Sequence, residues 1–346
     1  MIVCKFGGSS LSDATRIRQM AQIVRADAAR RFVVVSAPGR RWEGDEKVTD
    51  LLLRAAHGDE EALRATCSRF AAIAAQLQVP FEREIRDFAR EVIGRDEAFA
   101  MSRGEYLCAL LTARFLKSTF VDAAEIIAFG QDGAPDMRAT YERTLLRLKP
   151  LAHAVIPGFY GATPAGEIRT FSRGGSDITG ALLAGAMGAR LYENWTDVDG
   201  FMSADPRLVQ GTVCVPQISY RQMRMLSAMG AQILHPDSLL PVARAGIPTL
   251  LKNSFHPEHP GTLICADAWA QTPCITSRAL KNGQGVLAVL SPEAMELPAQ
   301  ALAALRGADI RPVCLCAYAD HLLLRVKASS LTHGVRALHR ALVEKP

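Results

Sequence analysis

The chain of 346 residues predicts an α/β fold: an open, mainly parallel sheet sandwiched by helices, followed by a small C-terminal α+β module. Three observations carry this. An apolar run, a glycine turn and an amphipathic helix open the chain and lead into a second apolar run. Strand-like and helical stretches then alternate as far as Cys265. A break at Gln271 to Pro273 precedes a short pattern of mixed strands and helices.

Ile2 to Phe6 suits a buried strand, and Gly7-Gly8-Ser9-Ser10 turns the chain. Ser12 or Asp13 can cap the next helix, whose Ile17, Met20, Ala21 and Val24 fall at i, i+3, i+4 and i+7. Phe32 to Val35 is a second apolar run, ending in Ser36-Ala37-Pro38-Gly39. Strand, helix, strand in that order is a βαβ unit, which pairs its strands in parallel. Val48 to Lys117 reads as helical throughout. Strand-like runs return at Thr119 to Asp122 and His153 to Pro157, and Gly158 to Arg169 suits a hairpin or flap. Ser176 to Ala189 is a helix of small residues, and Leu191 to Trp195 a strand. Helices at Tyr220 to Gly230 and Asp237 to Ala245 and strands at Pro248 to Lys252 and Gly261 to Cys265 complete a domain expected over residues 1–270. The tail, residues 275–346, reads as strand (Gly285 to Leu290), helix (Glu293 to Arg306), two strands (Ile310 to Tyr318, His321 to Lys327) and helix (Leu331 to Val343).

Composition narrows the function. With 49% apolar and 22% charged residues, the chain can bury a full core and is not disordered. A net charge of +5 is a weak bias, suited to an enzyme handling anions, and no concentrated basic stripe points to nucleic acid. Arg30-Arg31 and Arg40-Arg41 read as solvated surface. No apolar run approaches the ~18 residues that span a membrane. The opening Met1-Ile2-Val3-Cys4-Lys5 lacks the order of a signal peptide, so a cytoplasmic protein is expected. The eight cysteines form no CxxC pair and read as reduced, mostly buried thiols, with no metal site expected. Cys314 and Cys316 alternate along a strand and share one face.

Four segments can carry chemistry. Lys5-Phe6-Gly7-Gly8-Ser9-Ser10 joins a cation at a strand end to glycines whose N–H groups a phosphate can approach closely. It is not a Walker A loop, because the chain holds no GxxxxGK[ST]. Ser172-Arg173-Gly174-Gly175-Ser176-Asp177 sets a guanidinium before a helix N-terminus, a good carboxylate site. Asn194-Trp195-Thr196-Asp197 ends a strand in a hydroxyl and a carboxylate, with Asp205-Pro206-Arg207 downstream. Ser102-Arg103-Gly104-Glu105 offers a carboxylate to an ammonium. Taken singly, each also has an ordinary reading: a tight βα turn, a capped helix, an Asp-Gly turn, a glutamate complementing a helix dipole. The histidines show no HExxH pattern, and His235, before Pro236, reads as structural.

Together these segments resemble the amino acid kinase superfamily, and within it the aspartate kinases. The resemblance runs from Lys5 to about Cys265, through KFGGSS, SAPG with Thr49, SRGE, SRGGSD, WTDV, DPR and GAQILHP in the family's order. It implies transfer of the γ-phosphate of ATP to the side-chain carboxylate of L-aspartate, with Mg²⁺ riding in on the nucleotide. Lys5, Gly7 and Gly8, with Ser9, would hold the phosphates, and Asp177 would orient Lys5. Thr196, Asp197, Met202, Arg207 and Gln232 would lie against ATP. Arg173 would bind the α-carboxylate of aspartate, Glu105 its ammonium, and Thr49 and Ser176 its remaining polar groups. Because the acceptor is already an anion, the chemistry asks for positioning and positive charge rather than a strong base.

Some positions depart from the family pattern. Gln232 stands where better-known members carry a lysine near the nucleotide, Met202 where many have a tyrosine against adenine, and Ser172 where many have a glycine. Residues 275–346 resemble at most one shortened ACT-type regulatory module where members usually carry two. That implies weak or absent feedback by lysine or threonine; family practice implies a homodimer. The competing readings are a superfamily kinase with another acceptor (glutamate, carbamate or a nucleoside monophosphate) and a catalytically weak paralogue that senses amino acids or nucleotides.

Overall fold

The computed structural model describes residues 1–172, 174–231, 234 and 236–344; Arg173, Gln232 and His235, singled out above, lie outside them. The chain divides into two compact units, Met1–Asp197 with Leu240–Glu258, and Val198–Leu239 with His259–Pro346.

In the first unit, β1 (Ile2–Phe6), β2 (Arg30–Val35), β3 (Thr119–Phe120), β4 (Ala154–Pro157), β7 (Leu191–Thr196) and β9 (Thr249–Asn253) lie in the order β3-β4-β2-β1-β7-β9. Every neighbouring pair is parallel. All five residues of β1 are buried, as an uninterrupted apolar strand requires when both sheet faces are covered. The covering helices are α1 (Ala14–Ala26), α2 (Val48–Ala56), α3 (Glu60–Leu77), α4 (Glu82–Glu91), α5 (Glu97–Leu116), α6 (Ala123–Ile126), α7 (Met137–Leu148), α8 (Gly175–Met187) and α10 (Leu240–Arg244). Asp13 caps α1, its carboxylate accepting the Arg16 N–H at 3.0 Å. Phe6, Ile17, Met20, Phe70, Leu107 and Trp195 belong to one buried cluster that ties α1, α3 and α5 to the sheet. The segment Gly158 to Arg169 folds as a hairpin of β5 (Tyr160–Ala162) and β6 (Ile168–Thr170).

In the second unit, β8 (Gln217–Ser219) pairs in parallel with β10 (Thr262–Cys265), and α9 (Tyr220–Ala228) starts in a capping box of Ser219 and Gln222. A separate antiparallel sheet runs β11 (Cys274–Ala279), β12 (Gln284–Leu290), β14 (His321–Lys327), β13 (Cys314–Ala317) in spatial order. α11 (Pro298–Gly307) and α12 (Leu331–Leu342) contribute Leu305 and Leu338 to a cluster with Leu287, Leu322 and Leu324. Among the described residues no helix is long and apolar enough to cross a membrane.

Several elements differ from the expectation. The tail gains β11, so its order is ββαββα, and α11 begins at Pro298 rather than Glu293 because proline is at home in a first helical turn. Residues 236–244 form a 3₁₀ turn (Pro236–Leu239) before α10. β8 and the short α6 were not expected, and neither was α7. The buried face of α7 is Thr140, Thr144 and Leu148, so threonine hides the apolar period that marks a helix. Arg30 is not solvated surface. Its guanidinium grips Glu193 at 2.8 and 3.1 Å and lies over the Trp195 ring, because the strand that carries it is central. The cysteines also divide: Cys4, Cys108 and Cys274 are buried, whereas Cys314 and Cys316 are exposed on β13, which has a strand on one side only.

The cap of α7 provides a check on its boundary. Asp136 accepts the Ala139 N–H at 2.9 Å, and Asp136→Ala is expected to lower stability by about 1 kcal/mol in urea unfolding. An unchanged midpoint would place the helix start elsewhere.

Candidate active site

Parallel strands end on the same side of a sheet, so the residues after β1, β2, β4, β7 and β9 gather along one edge. β2 and β7 flank β1, and the chain progresses outward from β1 in both directions. The edge beside β1 and β7 is therefore a topological switch point, where open α/β sheets bind ligands.

Lys5, the fourth residue of β1, is 7% exposed. Its Nζ meets the Oδ1 of Asp177 at 2.6 Å. Asp177 sits in the first turn of α8, and Asn194, opposite Lys5 on β7, donates its Nδ2–H to the same oxygen at 2.9 Å. The Tyr192 hydroxyl donates to the Asp177 carbonyl at 3.1 Å. A Cβ at Gly180 would stand 2.7 Å from that hydroxyl, so only a glycine lets α8 lie this close to β7. Strand, helix and neighbouring strand are thus tied around one ammonium.

The glycines permit close approach. A Cβ on Gly7 would lie 3.5 Å from the Lys5 Nζ, and one on Gly8 only 2.8 Å from the Ala37 carbonyl oxygen. Gly39 approaches from the loop after β2: its N–H donates to the Gly8 carbonyl at 2.8 Å, and a Cβ there would stand 2.5 Å from the Gly8 carbonyl carbon. Arg69 of α3, 5% exposed, holds that loop through the Gly39 carbonyl and through Asp45 at 3.4 Å. Ser9 is half-buried in the turn Gly8–Leu11. Ser10 meets Ser254 at 2.6 Å between their hydroxyls, and Ser254 donates its N–H to the Thr196 carbonyl at 2.8 Å. The end of β7 is pinned in this way beside the turn, with Thr196 half-buried and Asp197 exposed.

Glu105 lies inside α5, 5% exposed, and its Oε2 has no hydrogen-bond partner among the described residues. Burial pushes its carboxyl up from 4.5 to about 8, while a hydrogen bond with the Ala37 backbone pulls the other way. A Cβ on Gly104 would stand 2.8 Å from the Ala37 Cβ and 3.3 Å from a Val48 methyl, which brings α5 against the start of α2, where Thr49 is half-buried. Ser176, buried at the start of α8, packs against Gly158 after β4; a Cβ there would fall 2.6 Å from the serine Cβ. The N-cap of α8, Gly174, is left-handed at φ 60° and has no side chain with which to cap the helix.

Lys5, Gly7, Gly8, Ser9, Thr49, Glu105, Ser176, Asp177, Thr196 and Asp197 all belong to the first unit. Met202 and Arg207 belong to the second, where Met202 bridges Cys214 and the largely exposed Arg207 forks onto Asp205 at 3.0 and 2.7 Å. Sequence reasoning assigned no role to Asn194, Gly39 or Arg69. A polar Asn194 in a buried central strand was a readable signal; Arg69, mid-helix, offered none.

An open parallel sheet with cations and glycine turns at its switch point defines an α/β protein built to hold anions. The family model described as "Amino acid kinase family" matches residues 1–253. Aspartokinase 3 of Bacillus subtilis is 36% identical over 76% of this chain, and the match spans 63% of that protein's length. The lysine-sensitive aspartokinase 3 of Escherichia coli is 32% identical over 84% of this chain and 70% of its own. The crystal structure of aspartate kinase from Clostridium acetobutylicum superposes with a TM-score of 0.89 at 27% identity, covering 99% of this chain and 100% of that one. The chain belongs to the amino acid kinase family, among the aspartokinases.

The raised carboxyl of Glu105 has a consequence for stability. Between 4.5 and about 8 the folded, ligand-free protein holds a proton that the unfolded chain has released. Its stabilising effect is complete at low pH and is lost as pH rises through the folded value. Wild type should therefore lose stability relative to Glu105→Gln between about pH 5 and about pH 8 in chemical unfolding. A pH-independent difference would refute a protonated Glu105.

Proposed function

We propose that this protein is an aspartate kinase, transferring the γ-phosphate of ATP to the side-chain carboxylate of L-aspartate to give 4-phospho-L-aspartate. The Lys5–Asp177 contact at 2.6 Å carries this reading most strongly. Bringing a polyphosphate and a carboxylate together requires neutralised charge and fixed geometry more than it requires a base. Lys5 answers the first need. Asp177 and Asn194 answer the second by holding the ammonium at the switch point until phosphate oxygens share it. The turn at Gly7 and Gly8 would receive the β- and γ-phosphates, with Thr196 and Asp197 flanking them. Met202, Arg207 and Gln232 remain proposed nucleotide contacts from the resemblance alone. Mg²⁺ would arrive with ATP, held mostly by phosphates and water.

On the acceptor side, Arg173 would fork onto the α-carboxylate, with Thr49 and Ser176 on the remaining polar groups. Glu105 supports an ammonium-bearing acceptor: a buried carboxylate oxygen without a partner is costly unless a ligand satisfies it. The catalytic domain is proposed over residues 1–270 and a shortened ACT-like module over 275–346. We further infer a cytoplasmic homodimer.

ATP-dependent hydroxamate formation from L-aspartate tests the activity. Lys5→Ala should lower kcat by roughly 10²-fold or more, and Arg173→Ala should mainly raise the aspartate KM. Absence of aspartyl hydroxamate from the wild-type protein, with nucleotide still bound, would favour a sensing role. Glu105 predicts a second signature. An arriving ammonium stabilises the ionised carboxylate, so aspartate binding at about pH 7 should release a proton, read as buffer-dependent binding enthalpy. Glu105→Gln should abolish that dependence.

A further inference from the structure

At the opposite edge of the same sheet the first unit holds a cavity of about 290 Å³. It opens where β2 begins at Arg30 and Arg31, beside the residues that precede β3 and β4, Ser118 and His153. The last turns of α1 and α5 close it with Arg25 and Lys117. Val24, Val33 and Leu116 give it an apolar floor.

The charge around this cavity is unbalanced. Arg30 is spent on Glu193, and Asp27, the one carboxylate among the lining residues, accepts the Ala29 N–H at 2.8 Å and lies 3.7 Å from Arg190. Arg25, Arg31 and Lys117 have no carboxylate within salt-bridge distance among the described residues. The two arginines are instead aimed by backbone carbonyls: Arg31 donates to Ala152 and Leu151 at 2.8 and 2.6 Å, and Arg25 to Phe115 at 3.2 Å. Carbonyls orient a guanidinium without cancelling its charge. Helix ends explain part of this pattern, since cations favour a C-terminus. The end of α5 is already satisfied, however, with Lys117 and Ser118 N–H groups bonded to its Arg114 and Ala113 carbonyls. Arg31 and His153, at strand starts, owe nothing to a helix dipole.

We propose that this cavity is a second ligand site, specific for a small organic dianion: a phosphomonoester or dicarboxylate on a short carbon chain. The free guanidinium edges of Arg25 and Arg31 and the Lys117 ammonium take the charged groups, and the valine and leucine side chains take the carbon stem. The site is separate from the proposed catalytic edge and does not depend on the aspartate kinase reading.

Calorimetric titration of the full chain with phosphoenolpyruvate, succinate and inorganic phosphate tests this. Saturable 1:1 binding is expected for phosphoenolpyruvate or succinate, weaker for inorganic phosphate, which has no stem. The double variant Arg25→Gln/Lys117→Gln should weaken it about tenfold or more while leaving the melting temperature near wild type. Lys5→Met should leave it unchanged. Absence of saturable binding, loss of binding in Lys5→Met, or full affinity in the double variant would each overturn the assignment.

Discussion

An ammonium almost stripped of water is stable only beside a fixed counter-charge, and the rest of the site follows from that constraint at Lys5. Asp177 provides the charge at 2.6 Å, and Asn194 keeps the carboxylate from turning away. Because the three groups come from β1, α8 and β7, the pair exists only if both strands are in register and α8 is pressed against them. Gly180 permits that pressing by leaving room for Tyr192. The local chemistry and the global packing are therefore one requirement.

A second requirement is backbone proximity. The loops after β1 and β2 touch at Gly8 and Gly39, with no space for a side chain at either. Arg69 reaches from α3 to hold the loop after β2, and its own burial is made tolerable by Asp45 and by carbonyl oxygens. The positive charge of Arg69 sits close behind the glycine turn, and it adds to a field that favours anions at this edge. Glu105 does the opposite from α5. Burial raises its carboxyl to about 8.

The two edges of the sheet are polarised differently. Among the described residues at the carboxyl edge, Lys5 is paired with Asp177. At the amino edge Arg25, Arg31 and Lys117 have no carboxylate partner among the described residues, and the two arginines bond backbone carbonyls. α1 and α5 run from one edge to the other, so both ends of the sheet are held by the same two helices.

Much of this was legible in the order of residues. Apolar runs, glycine turns and the period of α1 determined the parallel α/β unit, and the spacing of KFGGSS, SRGGSD and WTDV determined the family, because backbone approach and charge placement admit few residues at those points. Helix α7 escaped notice because threonines line its buried face, and β11 because nothing in a short mixed segment separates strand from loop. Only the tertiary structure decided that Asn194 steadies Asp177, that Arg69 holds Gly39, that Arg30 is paired rather than solvated, and that Glu105 is held protonated. Each of these depends on partners distant in sequence, and burial and pairing belong to the packed chain rather than to any segment of it.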